Sequence, residues 1–299
     1  MNFRGKLLQQ EPLARYTTFR IGGPADSFFV PEDEDDLIHA LKYCREQGIP
    51  WFILGNGSNL LVSDQGIRGM VIHLAAPSFR HLSFDNQVLT VGAGAKTGTV
   101  LHDTANRGLG GIAFLGAIPG TMGGVFYMNG GTYLGEIASV LLEIRFLNDS
   151  LTVESRPKEA LQYQYRRSLF QEHSWVILDG KMKLIPMPKK EAQDKVLEIL
   201  ERRRKTQPLG IPSAGSAFKN PPGSSSWKLI EEAGLRGFSI GDAAVSETHA
   251  NFVVNQGSAK ATEVLQLIRT VQEKVLAKTG ILLEPEIRLV GEWKEQYLS

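Results

Sequence analysis

A compact polar motif, Gly55-Asn56-Gly57-Ser58-Asn59, directly follows the apolar segment Trp51 to Leu54. Glycines let backbone amides approach an anion closely, and the serine and asparagine side chains can donate hydrogen bonds. The motif therefore suits a diphosphate, although an ordinary tight turn explains it equally well. It is not the dinucleotide fingerprint, which needs G-x-G-x-x-G at the start of a helix.

A second glycine-rich segment, Gly108 to Gly135, holds ten glycines in 28 residues and no charged residue. Average glycine usage, about 7%, would give about two. Pro119 and the many glycines break any membrane helix. Such backbone can wrap a large planar ligand, and a glycine-rich crossing of packed strands is the structural alternative. Two glycine-rich loops in one domain favour a nucleotide-containing cofactor.

The segment Gly92-Ala93-Gly94-Ala95-Lys96-Thr97 matches a phosphate-binding P-loop only in part. That motif needs glycine immediately before the lysine, where this chain has Ala95. We therefore reject a P-loop kinase.

Several side chains could do acid–base or anion chemistry. Tyr163-Gln164-Tyr165-Arg166-Arg167-Ser168 combines phenols with guanidiniums, which bind carboxylates or phosphates bidentately, but alone it is typical of a strand edge or surface. Ser216 lies in a loop where a lone serine is usually structural, and no partner is spaced as a hydrolase requires. A period of two puts Glu284, Glu286 and Arg288 on one strand face, which is ordinarily solvated.

Two other features have simpler explanations. Cys44 lies on a predicted apolar helix face and is expected to be a buried small hydrophobe. Arg202-Arg203-Arg204-Lys205 is typical of a solvated helix end that the dipole favours. Its position beside a linker leaves a phosphate-binding role open.

The first half of the chain alternates helices and short strands. Pro31 is expected to open a helix that Gly48 ends. A second helix is predicted over Thr97 to Arg107, closed by Gly108. Strands are predicted at Trp51–Leu54, Leu60–Val62, Met70–Leu74 and Val88–Val91.

The second half begins with a predicted hairpin, Val140–Leu147 and Leu151–Glu154, around Asn148-Asp149-Ser150. A loop-rich linker with two prolines, Thr206 to Gly215, predicts a domain boundary. The remaining predicted elements are a strand or hairpin at Trp175–Ile185, helices at Glu191–Lys205, Trp227–Ala233 and Ala259–Lys278, and strands at Asn251–Asn255 and Ile281–Val290.

Composition excludes several classes of protein. The chain has 299 residues, 33 Lys plus Arg and 32 Asp plus Glu, so a protein whose main task is to coat nucleic acid is not expected. One cysteine and scattered histidines exclude a disulfide framework and argue against a metal site. Without a signal peptide or an apolar membrane span, we expect a cytoplasmic protein.

Taken together, the motifs resemble one family, UDP-N-acetylenolpyruvoylglucosamine reductase (MurB), over nearly the whole chain. The resemblance is carried by Tyr16-Thr17-Thr18-Phe19-Arg20-Ile21-Gly22-Gly23, Gly55–Asn59, Ile118-Pro119-Gly120-Thr121-Met122-Gly123-Gly124, Tyr165-Arg166-x-Ser168, Ala214-Gly215-Ser216 with Phe218-Lys219-Asn220-Pro221, His249-Ala250-Asn251-Phe252 and Glu286-x-Arg288. Each piece is weak alone, and their joint order is specific.

The resemblance implies an α+β flavoenzyme with a two-part, vanillyl-alcohol-oxidase-like FAD-binding domain and a smaller C-terminal substrate domain. It implies reduction of the enolpyruvyl ether of UDP-N-acetylglucosamine to UDP-N-acetylmuramate, with FAD and NADPH, for peptidoglycan synthesis. The implied boundaries are 1–73 joined by a returning strand 281–299, then 74–205, then 206–280 for the substrate domain.

The resemblance also implies residue roles. Ser216 matches the proton donor, Arg166 the residue that stabilises the developing carboxylate-enolate, and Glu286 the assisting carboxylate, with Glu284 a weaker candidate. The implied substrate-binding residues are Tyr165, Lys205, Lys219 and Asn220. The implied FAD-binding residues are Gly55, Asn56, Gly57, Ser58, Asn59, Ile118, Pro119, Gly120, Gly123, Gly124 and Arg288.

Between Arg166 and Ser216 there is little room for a tyrosine-bearing capping loop, so the chain resembles the shorter class of the family. No histidine stands in the phosphate loop, and FAD is expected to be non-covalent. Small-molecule substrates are the expected partners, without nucleic acid, membrane or an obligate protein partner. Two alternatives stay open: an FAD oxidase of the same fold acting on a small alcohol or amine, and a non-catalytic nucleotide-sugar binding protein.

Overall fold

A computed structural model describes residues 3–294. Its α-helices are α1 Glu34–Glu46, α2 Thr97–Asn106, α3 Met122–Tyr127, α4 Lys189–Thr206, α5 Ser226–Glu232 and α6 Ala261–Thr279. Short 3₁₀ helices occupy Leu13–Tyr16, Pro77–Phe79, Ala113–Ala117, Ile137–Ser139, Lys158–Leu161 and Leu169–Gln171.

The strands are short and distributed along the whole described chain. They are β1 Lys6–Pro12, β2 Pro24–Val30, β3 Trp51–Leu54, β4 Leu60–Val62, β5 Ile67–His73, β6 Leu82–Asp85, β7 Val88–Gly92, β8 Leu109–Gly110, β9 Gly131–Thr132, β10 Gly135–Glu136, β11 Leu141–Leu147, β12 Val153–Pro157, β13 Val176–Lys183, β14 Ile185–Pro186, β15 Ser213–Ser216, β16 Ser239–Ile240, β17 Ala243–Val245, β18 Phe252–Asn255 and β19 Arg288–Val290.

The strands form three larger sheets and three two-stranded ones. A four-stranded sheet has the order β1-β2-β5-β3, a five-stranded sheet β12-β11-β13-β7-β6, and a second four-stranded sheet β15-β18-β17-β16. The five-stranded sheet and the second four-stranded sheet are antiparallel, whereas β19 pairs with β4 in parallel. Helices and antiparallel sheets together make an α+β fold, as predicted.

The contacts between residues divide the chain into two compact units. Unit 1 contains residues up to 8, 28–56 and 71–202, and unit 2 contains residues 9–27, 57–70 and from 203 onward. The three-part assignment of 1–73 with 281–299, 74–205 and 206–280 stays a prediction. Residues 1–2 and 295–299 of this assignment lie outside the described range.

The core of unit 1 lies around β13, whose first five residues are all buried. Gly180 is required there, because a methyl carbon at this position would lie 2.6 Å from Cζ of Phe126 on α3. The buried carboxylate of Asp179 accepts a hydrogen bond from Arg145 Nε at 2.7 Å. Arg145 also pairs with Glu34 at 2.9 Å, so one guanidinium binds the carboxylates of a central strand and of α1.

The core of unit 2 is built on α6. Val264, Ile268, Val271 and Val275 form the predicted apolar stripe, and each is at most 3% exposed. Burying each such side chain contributes about 1.5–3 kcal/mol relative to leaving it exposed. The stripe packs with β16 and β17 and with α5.

The sequence predicted most elements within a few residues, including β3 and β4 at both ends. Helix α1 starts later than expected, at Glu34, because Asp33 caps it by accepting a hydrogen bond from the Asp36 amide. Cys44 is fully buried, as expected, and burial raises the pKa of its thiol.

Two predicted boundaries were wrong. The linker predicted over Thr206–Gly215 is shorter, because α4 includes Thr206 and β15 begins at Ser213. The strand predicted over Ile281–Val290 is regular only in β19, Arg288–Val290. Pro285 interrupts it because proline lacks the amide donor that a ladder needs.

We predict that Asp64→Ala lowers the free energy of unfolding by about 0.5–2 kcal/mol. Asp64 binds the first turn of α6, accepting hydrogen bonds from the amides of Ala261 at 2.8 Å and Thr262 at 3.1 Å. Urea unfolding followed by circular dichroism measures the change. Asp64→Asn keeps one acceptor and should lose less; an Asp64→Ala midpoint equal to that of the native chain would contradict this.

Candidate functional site

Within unit 1, Gly55 at the start of the first predicted cofactor loop lies against Thr121 of the second. A methyl carbon at Gly55 would lie 2.7 Å from Thr121 Oγ1, so only glycine permits this approach. Gly123 packs equally closely, since a methyl carbon there would lie 2.9 Å from Cβ of Ala93. These small residues leave backbone rather than side chains at the loop surfaces, which fits a large planar ligand.

Part of the second loop is committed to internal pairing. The amides of Met122 and Gly123 donate to the carbonyls of Ala95 and Ala93, both at 2.8 Å. These two amides therefore bind protein backbone, and they fix the loop against the segment that follows β7. The P-loop-like segment around Lys96 thus supports the glycine loop.

The unit boundary falls inside the first cofactor motif, between Asn56 and Gly57. In unit 2, Gly57 has φ of +58°, and a methyl carbon there would lie 2.4 Å from the Tyr16 carbonyl. Asn59 donates through Nδ2 to the Glu286 carbonyl at 3.1 Å, and its own carbonyl accepts from the Arg288 amide at 3.0 Å. The turn is thereby joined to the segment that carries the predicted carboxylate.

Ser216 ends β15 immediately after a β-bulge. Ser213 pairs with Val254 and Ser216 with Phe252, so β15 has one residue more than β18 between these pairs. Gly215, with φ of +79°, lies in this bulge. Bulges with glycine at positive φ redirect the next side chain, and they recur beside active sites.

Backbone hydrogen bonds bring Ser216 and Glu286 to neighbouring segments of unit 2. The Glu286 amide donates to the Ala217 carbonyl at 2.8 Å, and the Lys219 amide donates to the Glu284 carbonyl at 2.9 Å. Phe218 and Pro285 thus form an antiparallel bridge. This short pairing includes Glu286 and begins one residue after Ser216, so it joins the segments of the predicted proton donor and carboxylate.

Arg166 lies in a tight turn of unit 1 rather than on the expected strand edge. The amides of Gln164 and Arg167 donate to each other's carbonyls at 3.0 Å, and Arg166 has φ of +57°. Its guanidinium donates to the Gly131 carbonyl at 3.0 Å and lies 5.1 Å from the centre of the Tyr165 ring. Strained backbone of this kind is concentrated at functional sites.

A buried asparagine that the sequence analysis did not single out holds this turn. Asn129 is fully buried, donates to the Gln164 carbonyl at 2.8 Å and accepts from the Ala138 amide at 3.2 Å. Gln171 donates to the Arg166 carbonyl at 3.1 Å. The signal for Asn129 was weak, because its partners are distant in sequence.

The predicted substrate-binding residues differ in their surroundings. Tyr165 is 51% exposed in unit 1, and Lys205 is exposed near the end of α4 in unit 2. Lys219 pairs with Glu284 at 2.5 Å, so Glu284, the weaker carboxylate candidate, is bound to a lysine. Asn220 accepts through Oδ1 from the Ser226 amide at 3.0 Å, which positions it at the start of α5.

His249 lies in unit 2, two residues before Asn251. Its Nδ1 accepts from the Asn251 amide at 3.2 Å, and its ring contacts that of Phe252. Burial lowers the pKa of His249, and the positive charge of Arg236 lowers it further. The imidazole is therefore neutral in the folded chain at neutral pH.

The chain resembles known proteins over nearly its whole length. A family model described as UDP-N-acetylenolpyruvoylglucosamine reductase, C-terminal domain, matches residues 207–290, and one described as FAD binding domain matches residues 25–153. Among the described residues, no helix is long and apolar enough to cross a membrane.

Individual relatives agree with the family models. The UDP-N-acetylenolpyruvoylglucosamine reductase of Heliobacterium modesticaldum is 44% identical over 97% of this chain and 93% of the relative. That of Caldanaerobacter subterraneus subsp. tengcongensis is 42% identical over 96% and 95%. The crystal structure of UDP-N-acetylenolpyruvylglucosamine reductase from Thermus caldophilus matches with a TM-score of 0.81 and 37% identity, over 96% of this chain and 98% of that one.

We predict that His249→Asn reduces the loss of stability in acid. Because the folded chain lowers the pKa of His249, the unfolded chain binds the proton more readily. The contribution of neutral His249 to the free energy of unfolding is complete above the pKa of histidine in the unfolded chain, about 6.5. This contribution decreases as the pH falls through that value.

An asparagine side chain at position 249 can accept a hydrogen bond from the Asn251 amide, as His249 does, and it has no titratable group. Urea unfolding at pH 7.5 and 5.5 should show a smaller difference for His249→Asn than for the native chain. Equal pH dependence in the native chain and His249→Asn would refute the prediction.

Proposed function

Because the chain belongs to the UDP-N-acetylenolpyruvoylglucosamine reductase family, we propose that it reduces the enolpyruvyl ether of UDP-N-acetylglucosamine to UDP-N-acetylmuramate. The FAD binding domain supplies the cofactor site and NADPH is the reductant. Bound FAD would supply the hydride-transfer chemistry between NADPH and the alkene. The product is a precursor of peptidoglycan, and the cytoplasm, which holds nucleotide sugars and NADPH, is the proposed location.

The observation that supports this reaction best is the hydrogen bond from the Glu286 amide to the Ala217 carbonyl. It holds the backbone of Glu286 next to that of Ser216. Reduction of the alkene requires a proton at the carbon beside the carboxylate. We assign this donation to the Ser216 hydroxyl, with Glu286 as the carboxylate that assists there. Serine is a weak acid, so it must be positioned against a strongly basic carbon.

Arg166 is assigned to the charge that develops on the substrate carboxylate during reduction. The Gly131 carbonyl holds its guanidinium, and a fixed fork of donors stabilises an anion without reorganisation. Tyr165, Lys205, Lys219 and Asn220 are proposed to bind the UDP-sugar. We also propose that the chain belongs to the shorter class of the family, which lacks the capping loop.

The proposed FAD-binding residues are those that the family resemblance implies. They are Gly55, Asn56, Gly57, Ser58, Asn59, Ile118, Pro119, Gly120, Gly123, Gly124 and Arg288. The packing of Gly55 against Thr121 supports the pairing of the two loops of unit 1. We propose non-covalent binding, with residues 1–73 and 281–299 and residues 74–205 as the two FAD-binding parts, and 206–280 as the substrate domain.

The visible absorption spectrum tests the function directly. After incubation with FAD and gel filtration, the protein should keep flavin bands that NADPH bleaches without oxygen. Enolpyruvyl-UDP-N-acetylglucosamine should then restore the bands. A colourless protein would refute the proposal, and rapid oxygen consumption without this response to the substrate would favour the oxidase.

In the same assay, Ser216→Ala should leave bleaching by NADPH nearly intact. It should slow recovery by the substrate roughly 10²- to 10⁴-fold, the range for a lost general acid. Ser213→Ala, on the same strand, is the matched control and should behave like the native chain. Equal slowing of both steps in Ser216→Ala would indicate a structural role for the serine.

We predict that Gly55→Ala weakens FAD retention about tenfold, a loss of roughly 1.4 kcal/mol. The added methyl would press on Thr121 Oγ1, and a buried β-branched side chain has little freedom to turn away. Titration of the FAD-free protein by fluorescence quenching measures the dissociation constant. Gly98→Ala, in α2 where a methyl meets nothing within 4 Å, should bind FAD unchanged; equal affinities for the two variants would contradict the assignment.

A further inference from the structure

We propose that Asn251 is the positioning residue for Ser216, acting through the backbone of Ala217 and Phe218. The inference rests on the proposed function, since it concerns how the assigned proton donor is held. Asn251 is 4% exposed and directly precedes β18. It does not itself reach the substrate in this proposal.

The Asn251 side chain binds both polar groups of one peptide residue. Its Oδ1 accepts from the Phe218 amide at 3.0 Å, and its Nδ2 donates to the Phe218 carbonyl at 2.8 Å. Its main-chain carbonyl also accepts from the Ala217 amide at 2.7 Å. The side-chain amide thus replaces a strand partner just before β18 begins, and it extends the pairing of β15 past Ser216.

These hydrogen bonds of Asn251 hold the residues that connect Ser216 to Glu286. The Ala217 carbonyl accepts from the Glu286 amide, so Ala217 is held by Asn251 on one side and by Glu286 on the other. Ala217 and Phe218 are each 1% exposed, so water cannot readily replace a missing partner. On the other side of Ser216, Gly215 lies in the bulge at a φ of +79°. The direction of the Ser216 side chain therefore depends on Asn251.

Asn251→Asp is the sharpest test, because a carboxylate keeps the acceptor but loses the donor to Phe218. We expect recovery of the flavin bands by the enolpyruvyl substrate to slow about 10- to 100-fold, the scale of a misplaced catalytic group. Bleaching by NADPH should stay near the native rate. Protonation of the introduced carboxylate restores one donor and one acceptor. The recovery rate of Asn251→Asp should therefore approach that of the native chain as the pH falls.

Asn255 supplies the matched control on β18. It is also 4% exposed, donates to the Phe19 carbonyl at 3.1 Å and accepts from the amides of Gly257 and Ala259 at 3.0 Å. Asn255→Asp should lower the unfolding midpoint but leave both rates near native. If Asn251→Asp does not fold, the rates of bleaching and recovery can be compared between Asn251→Ala and Asn255→Ala instead.

Two further measurements separate positioning from general destabilisation. In the Ser216→Ala background, Asn251→Asp should slow recovery no further, because the group it positions is absent. Without any substrate, amide hydrogen exchange at Ala217 and Phe218 should be faster in Asn251→Asp than in Asn255→Asp.

The outcomes distinguish this inference from the proposed function. If Ser216→Ala slows recovery and Asn251→Asp does not, the inference is overturned and the function stands. The inference is also overturned if Asn251→Asp slows recovery further in the Ser216→Ala background. It is overturned as well if amide hydrogen exchange at Ala217 and Phe218 is no faster in Asn251→Asp than in Asn255→Asp. If Ser216→Ala recovers at the native rate, the proposed role of Ser216 fails, and the catalytic part of this inference fails with it.

Discussion

The short antiparallel pairing between residues 217–219 and 284–286 is the constraint on which the candidate site depends. Two backbone hydrogen bonds, from the Glu286 amide to the Ala217 carbonyl and from the Lys219 amide to the Glu284 carbonyl, close it. Asn59 adds a third attachment, through the Glu286 carbonyl. A long stretch of chain separates the two segments, so the hydrophobic core under α6 must form for the pairing to persist.

In both units, side-chain amides make hydrogen bonds to main-chain groups that a neighbouring strand would otherwise make. Asn129 stabilises the turn that carries Arg166, and Asn59 and Asn251 hold the segments around Glu286 and Ser216. An amide has both a donor and an acceptor and no charge, so it can satisfy buried peptide groups where no strand is available. Glycines in the same regions let the backbones come close enough for these short side chains to reach.

Local elements could be predicted from the sequence because their signals are local. β3 and β4 are short apolar runs around a glycine motif, and the stripe of α6 repeats at helical spacing. β15 was missed because Gly215 and the prolines before it are typical of a loop, whereas the glycine in fact forms a bulge. The roles expected for the site came from the family resemblance. Asn251 is part of a motif that carries this resemblance, but no role was predicted for it, because its partner Phe218 is 33 residues away.

Two of the contacts that place Glu286 use its main chain: its amide binds Ala217 and its carbonyl binds Asn59. Main-chain contacts of this kind are available to whichever side chain occupies the position. Such contacts let natural selection exchange the reactive group while the surrounding architecture is retained. A protein built this way can diversify its chemistry at these positions without first acquiring surplus stability to offset the change.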